Sequence, residues 1–293
     1  MKLPSEVQVP EQLTIMAVHA HPDDEAIGTG GILARYADEG VRTILVTCTG
    51  GEVGEIADSS LASPENLAQV RERELRQACE ILGLSHLELL GYRDSGMAGT
   101  PDNEHPAAFA TADLEQAAGR LVALVRRYRP QVLVTYDENG FYGHPDHIKA
   151  NQITVRAYAT AGDPAAYPDQ GLEPCSPSKL YYLAIARSSL ARFGERLAAH
   201  GIEPPLRAQD SEQPPFGTPD ELVTTLVDVS AQVDRKRRAL SAHATQLGPN
   251  TFFSRIPPAL FDEMFGRESF QLVEARIPVS LPETDLLAGL RPK

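Results

Sequence analysis

Four short apolar runs, Leu13 to Ala20, Val41 to Cys48, Leu87 to Leu90 and Val132 to Tyr136, alternate with stretches of helical period. This repeat constrains the fold most, because neighbouring parallel strands need a long crossover, usually a helix, and such crossovers are right-handed. The chain therefore reads as an α/β protein with a doubly wound, mostly parallel sheet and helices on both faces. Cap residues punctuate the helices: Gly40 ends the first, Ser63-Pro64 opens the second, Gly83 closes it, and Pro145 suits the first turn of a fourth. A strand order of 3-2-1-4-5 would set the first and fourth strands side by side, with their loops flanking the point where the order reverses.

After Thr160 the texture changes. The Pro/Gly-rich stretches Gly162 to Pro177 and Pro204 to Pro219 read as long surface loops around one strand, Leu180 to Ala186, and one helix. Another strand, Leu222 to Val229, leads into a helix near Val233 to Thr245, and Phe270 to Ala275 reads as a last edge strand. The expectation is one domain over 1–293: a Rossmann-like half, 1–161, and a smaller C-terminal α/β extension, 162–293, that shapes a substrate pocket.

Composition narrows the function classes. A formal charge of -13 argues against a broad nucleic-acid or anionic-membrane surface. Cys48, Cys79 and Cys175 are odd in number and lack CxxC spacing, which disfavours disulfides and thiolate zinc and suits a reducing, cytoplasmic setting. Met1 to Gln12 lacks the basic flank and apolar core of a secretory signal, and no apolar run is long enough to span a bilayer. A homo-oligomer is left open.

The chemistry-bearing residues follow strand ends. His21-Pro22-Asp23-Asp24-Glu25 comes after the first apolar run, and His144-Pro145-Asp146-His147 after the fourth. A catalytic zinc site takes three nitrogen or oxygen ligands and keeps one position for water. His21, Asp24 and His147 supply that set, while Asp23 stays free to act on the water and His144 to face a carbonyl or leaving group. Two histidines and a carboxylate suit Fe(II) as well as Zn2+.

Each motif also has an ordinary reading. Asp23 and Asp24 favour helix N-termini, and a lone His-x-x-His commonly marks a solvated helix start. Their joint placement at strand ends is what points to a metal. The Gly28-Thr29-Gly30-Gly31 segment is not a dinucleotide fingerprint, because it follows the acidic cluster, and close helix-to-strand packing is its simpler purpose. His243 reads as a core or hydrogen-bonding histidine; His86, His105 and His200 carry no signal.

Together with Thr47-Cys48-Thr49-Gly50-Gly51-Glu52, Arg93-Asp94-Ser95-Gly96 and Tyr142-Gly143, these motifs resemble the zinc-dependent N-acetylglucosaminyl de-N-acetylases of the LmbE-like, or PIG-L, family. Ala242-His243-Ala244-Thr245-Gln246 and the run from Glu283 to Leu290 resemble its mycothiol branch, which holds N-acetylglucosaminyl-inositol deacetylases and mycothiol S-conjugate amidases. The resemblance implies His21, Asp24 and His147 as metal ligands, Asp23 as general base, His144 as a positively charged stabiliser or acid, and Tyr142 as the group polarising the carbonyl. It implies sugar-hydroxyl contacts at Arg71 and Asp94, with Glu52 near the same pocket. Arg71 equally suits a solvated helix charge paired with Glu72 or Glu74, and Asp94 a turn before Gly96. Phe141 stands where related sequences often have glycine.

The implied activity is hydrolysis of an acetamide on a small N-acetylglucosamine-containing molecule by a metal-activated water. The alternatives are an amidase acting on a thiol conjugate of the same amino-sugar scaffold and, from another class, a non-catalytic sugar- or nucleotide-binding module.

Overall fold

The computed structural model describes residues 12–203, 216–247 and 251–291. Its centre is a seven-stranded sheet in the order β3-β2-β1-β4-β5-β7-β6. The strands β1 (Thr14–His19), β2 (Arg42–Thr49), β3 (His86–Tyr92), β4 (Val132–Thr135) and β5 (Lys179–Ala184) run parallel in the expected 3-2-1-4-5 order. All six residues of β1 are buried, as a central strand covered on both faces requires.

Beyond β1 lie two short helices, α1 (Asp24–Gly28) and α2 (Gly30–Asp38); α3 (Leu67–Leu82) follows β2 and α4 (Leu114–Tyr128) follows β3. After β4 come the single turn α5 (Gly140–Gly143) and the long α6 (Pro145–Thr160); α7 (Arg187–Ala199) follows β5. The chain then forms β6 (Thr225–Asp228), α8 (Val233–Ala242), α9 (Phe252–Arg255), α10 (Pro258–Phe265) and β7 (Arg267–Ala275). Helices α4 and α6 pack together on one face, and α1, α2 and α3 gather around α8 on the other.

Three expectations are corrected. The second helix starts at Leu67 rather than at Ser63-Pro64, because the chain first turns, with the Asn66 side chain accepting from the Ser63 N–H at 2.8 Å. The strand expected over Leu222 to Val229 is only Thr225–Asp228, its first part being a 3-10 turn at Asp220–Leu222. The last strand is not at the edge: β7 pairs antiparallel with both β5 and β6, and the short β6 takes the edge. Such a short strand limits the unpaired backbone an edge presents. Met1 to Glu11 and most of the Pro204 to Pro219 loop fall outside the described residues.

The glycine run does serve close packing, though not only against strands. A Cβ on Gly31 would lie 2.5 Å from Val229 Cγ2 and 2.8 Å from Glu268 Oε1. That proximity lets Glu268 accept from the Gly31 and Ile32 N–H groups, both at 2.8 Å, at the start of α2. Lys236 Nζ, 2.5 Å from Glu268 Oε1, balances the buried charge.

A second buried pair fastens the C-terminal segment to the sheet. Lys179 Nζ lies 2.6 Å from Glu283 Oε1, and the Tyr181 hydroxyl donates to Glu283 Oε2 at 2.5 Å. Breaking a buried pair leaves an uncompensated charge and costs about 3–5 kcal/mol, whereas replacing both partners with apolar residues is often neutral. Glu283→Leu should therefore lower the urea-unfolding free energy by about that amount. The Lys179→Met/Glu283→Leu double variant should recover most of the loss.

Candidate metal centre

The order of the sheet reverses between β1 and β4, so the loops leaving these strands flank one crevice. Two residues beyond β1, His21 donates its N–H to Asp24 Oδ2 at 2.8 Å. Between them Asp23 has φ 113° and ψ -29°, a backbone state that costs an ordinary residue about 1–3 kcal/mol. Neither aspartate serves merely as a helix cap: Asp23, at the N-cap of α1, makes no side-chain capping bond, and Asp24 turns back to accept from His21. Its N–H goes to Glu25 Oε2 at 3.0 Å and its carboxylate to Arg71 Nη2 at 3.2 Å.

From the far side of the crevice α6 presents His147. His21 Nδ1, Asp24 Oδ2 and His147 Nε2 form a nearly equilateral triangle: 3.4 Å, 3.4 Å and, between the two ring nitrogens, 3.3 Å. Donors bonded tetrahedrally at about 2.0–2.1 Å stand about 3.3–3.4 Å apart, so the set fits a zinc-sized cation. Two imidazoles and a carboxylate are also chemically apt for zinc or ferrous ion. The ring of His21 additionally lies within 4.8 Å of donor atoms on Asp94, His144 and Asp146. Those groups have hydrogen-bond partners of their own. Asp146 accepts from the Ser95 N–H at 2.9 Å, Asp94 from the Gly96 N–H at 2.8 Å, and His144 Nδ1 from the Asp146 N–H at 3.2 Å.

That second cluster orients the first. His21 Nε2 lies 3.2 Å from Asp146 Oδ2, so a proton held there leaves Nδ1 as the lone-pair donor, the arrangement by which a carboxylate fixes a metal-binding histidine. Tyr136, one residue past β4, supports the other two corners. Its hydroxyl donates to Asp24 Oδ2 at 2.7 Å and its ring stacks on His147 at 4.0 Å. His19 and the Ala20 N–H meet the same hydroxyl at 3.3 and 2.9 Å. Sequence reasoning missed Asp146, Tyr136, His19 and Ser95 as parts of the site. Asp146 had a signal, since it lies inside His144-Pro145-Asp146-His147; Ser95 and His19 required knowledge of which loops meet.

The electrostatics follow from burial. Burial alone would lower the pKa of His21, but Asp146, Asp24 and Asp94 outweigh it and hold the ring well above its ordinary range. Burial would raise Asp24, yet His147 and His21 keep it well below the usual carboxylate range. Asp23 is pushed up to about 6 by burial, with Arg71 pulling the other way. Burial raises the Tyr142 phenol, helped by Asp24, Asp23 and Asp94, so it remains a proton donor.

Burial and the neighbouring His21 and His147 lower the pKa of His144 to about 4. Because Nδ1 accepts from Asp146, the neutral ring carries its proton on Nε2 and can still donate. Arg71 is not a solvated helix charge. It is 3% exposed and is held by the carbonyls of Gly51 at 2.8 Å and Pro22 at 2.5 Å besides Asp23. Asp94 both closes the turn before Gly96 and lies 3.6 Å from His21 Nε2. Glu52 lines a cleft of about 530 Å³ with Tyr92, Arg93 and Arg120, a cleft that neither Arg71 nor Asp94 lines. Tyr142 packs against His147 at 4.9 Å and His144 at 6.0 Å. Its neighbour Phe141 has φ 68°, accommodated by a bond from its N–H to Asp137 and by ring contact with Phe216 at 5.0 Å.

Residues 16–158 match the model of the GlcNAc-PI de-N-acetylase family, PIG-L. Over 287 residues the chain is 45% identical to the 1D-myo-inositol 2-acetamido-2-deoxy-alpha-D-glucopyranoside deacetylase of Geodermatophilus obscurus, covering 94% of this chain and 97% of that one. Among solved structures it resembles the N,N'-diacetylchitobiose deacetylase of Pyrococcus horikoshii, with TM-score 0.63, 21% identity and coverage of 89% and 83%. It also resembles the 4-carboxy-2-hydroxymuconate hydratase GalB of Pseudomonas putida, with TM-score 0.62, 20% identity and coverage of 92% and 100%. These two structures share the fold; their differing names show that the fold alone does not decide the chemistry.

The geometry predicts graded losses of metal. His21→Ala should abolish stoichiometric zinc binding in a chelator-competition titration. Asp146→Asn, which weakens the orienting bond but leaves the three corner residues in place, should weaken it about 10–100-fold.

Proposed function

Since the chain belongs to the GlcNAc-PI de-N-acetylase (PIG-L) family, we propose that it hydrolyses the acetamide of a glucosaminyl-inositol-type substrate, releasing acetate and the free amine. The observation that carries this reading is the His21–Asp24–His147 triangle with Asp23 beside it. These three residues would hold a zinc or ferrous ion, which when bound supplies Lewis acidity, lowering the pKa of a water towards about 7 and polarising a carbonyl.

The chain's own groups do the rest. Asp23 is ionised at neutral pH yet basic enough to take a proton from the attacking water, because its pKa of about 6 lies close to the working range. Arg71 keeps it charged and fixes one of its oxygens. Once protonated, Asp23 can pass that proton to the departing amine nitrogen. Tyr142 and the Nε2–H of His144 are the donors for the carbonyl oxygen as it gains charge, a role worth about 3–4 kcal/mol per well-placed group. No described helix is long and apolar enough to cross a membrane, and the three cysteines are free thiols.

Asp23→Asn tests the assignment directly. The variant should keep its metal and lose at least about 100-fold in kcat on N-acetylglucosaminyl-inositol. Parent-level turnover would remove Asp23 from the mechanism. Faster cleavage of a thiol conjugate of glucosaminyl-inositol than of the acetylated sugar by the parent enzyme would favour the amidase reading.

The pH profile follows from the same group. Below about pH 6, kcat/KM should fall tenfold per unit as Asp23 takes up a proton. Arg71→Gln removes the charge that pulls this pKa down, so the acid limb should move to higher pH. An unmoved limb would mean that another group sets it.

A further inference from the structure

Behind the metal-binding turn lies a fully buried pair that the hydrolytic steps do not use. His243 ends α8 and Glu25 lies in the first turn of α1, and both side chains are 0% exposed. His243 Nε2 and Glu25 Oε1 are 2.7 Å apart. The other Glu25 oxygen accepts the Asp23 N–H at 3.0 Å. One carboxylate thus links the C-terminal part of the chain to the main chain of Asp23.

Asp23 requires such a hold. Its φ of 113° is one that side-chain-bearing residues rarely adopt, and release to an ordinary angle would swing its carboxylate out of place. The loop bearing His243 is itself anchored. Thr245 donates to Glu74 through its N–H at 2.8 Å and its hydroxyl at 2.6 Å, and its carbonyl accepts from Ala57 at 2.8 Å. Glu74 stands one turn along α3 from Arg71, which grips the Asp23 carboxylate. The stretch Ala242-His243-Ala244-Thr245-Gln246 therefore reaches Asp23 from two sides, through Glu25 and through α3.

We propose that His243 is a positioning residue for the hydrolysis, holding Asp23 through Glu25 in the backbone conformation that sets its carboxylate against Arg71. This rests on the reading of Asp23 as general base. It differs from a purely structural role, which would lower stability and leave the turnover of the folded enzyme unchanged.

Steady-state kinetics on the full-length, zinc-loaded protein with N-acetylglucosaminyl-inositol separate the two. His243→Ala should lower kcat at least about tenfold, with KM within about twofold and zinc still stoichiometric. His243→Gln, whose amide nitrogen falls near the position of Nε2, should recover most of the loss. In an Asp23→Asn background His243→Ala should cost nothing further, because both changes act on the same group. If His243→Ala fails to fold, His243→Asn, too short to reach Glu25, takes its place under the same criteria.

An unchanged kcat in the folded variant overturns the proposal. So does an equal loss in the Asp23→Asn background, and so does loss of zinc, which would put the effect on Asp24 instead. An Asp23→Asn enzyme as active as the parent sinks the general-base reading and this inference with it. An inactive Asp23→Asn enzyme beside an unaffected His243→Ala enzyme sinks the inference alone.

Discussion

Three carboxylates, Asp24, Asp94 and Asp146, face the single imidazole of His21 where little water reaches them. An ionised carboxylate taken out of water costs several kcal/mol unless opposite charge or donors meet it. The surroundings obey that constraint. Ser95 donates twice to Asp146, Tyr136 and the His21 main chain donate to Asp24, and the Gly96 N–H donates to Asp94. What is left over is negative potential on the face shared by His21 and His147. The same potential that raises the proton affinity of His21 favours a divalent cation there.

The sheet makes this concentration of charge affordable. Parallel strands end together, so the loops after β1, β3 and β4 deliver His21, Asp94 and Asp146 from positions far apart in the chain. The C-terminal part adds β5, β7 and β6 to that sheet and closes it with Glu283, held by Lys179 and Tyr181. Helix α8 brings His243 to Glu25. The turn bearing Asp23 is thus braced by elements from both ends of the sequence, which lets Asp23 keep a backbone angle it would not hold alone.

Two neighbouring aspartates illustrate how environment divides labour. Asp24 lies between two imidazoles, which keep its pKa well below the usual carboxylate range, as the proposed ligand role requires. Asp23 lies against one guanidinium and is otherwise shielded, so burial wins and its pKa rises to about 6. A base with that value can both accept and release a proton near neutrality.

Much of this was legible without coordinates. The βα repeat carries the order of the five parallel strands, because hydrophobic period and crossover handedness are local and directional rules. His21, Asp23, Asp24, His144 and His147 were legible as types of chemistry placed at strand ends. The antiparallel insertion of β7 was not, since pairing partners depend on which edge is free once the other strands have docked. Nor were Tyr136, Ser95 and Glu25 legible as supports, the actual hold on Arg71, or the lowered pKa of His144. A ring's protonation and a side chain's partners depend on burial and on charges that distant segments bring within a few ångströms. The sequence by itself determined the strand repeat and the kinds of donor present. Only the tertiary structure decided which donors stand close enough to share a cation and which carboxylate lies buried against a guanidinium, because those choices rest on distance and desolvation.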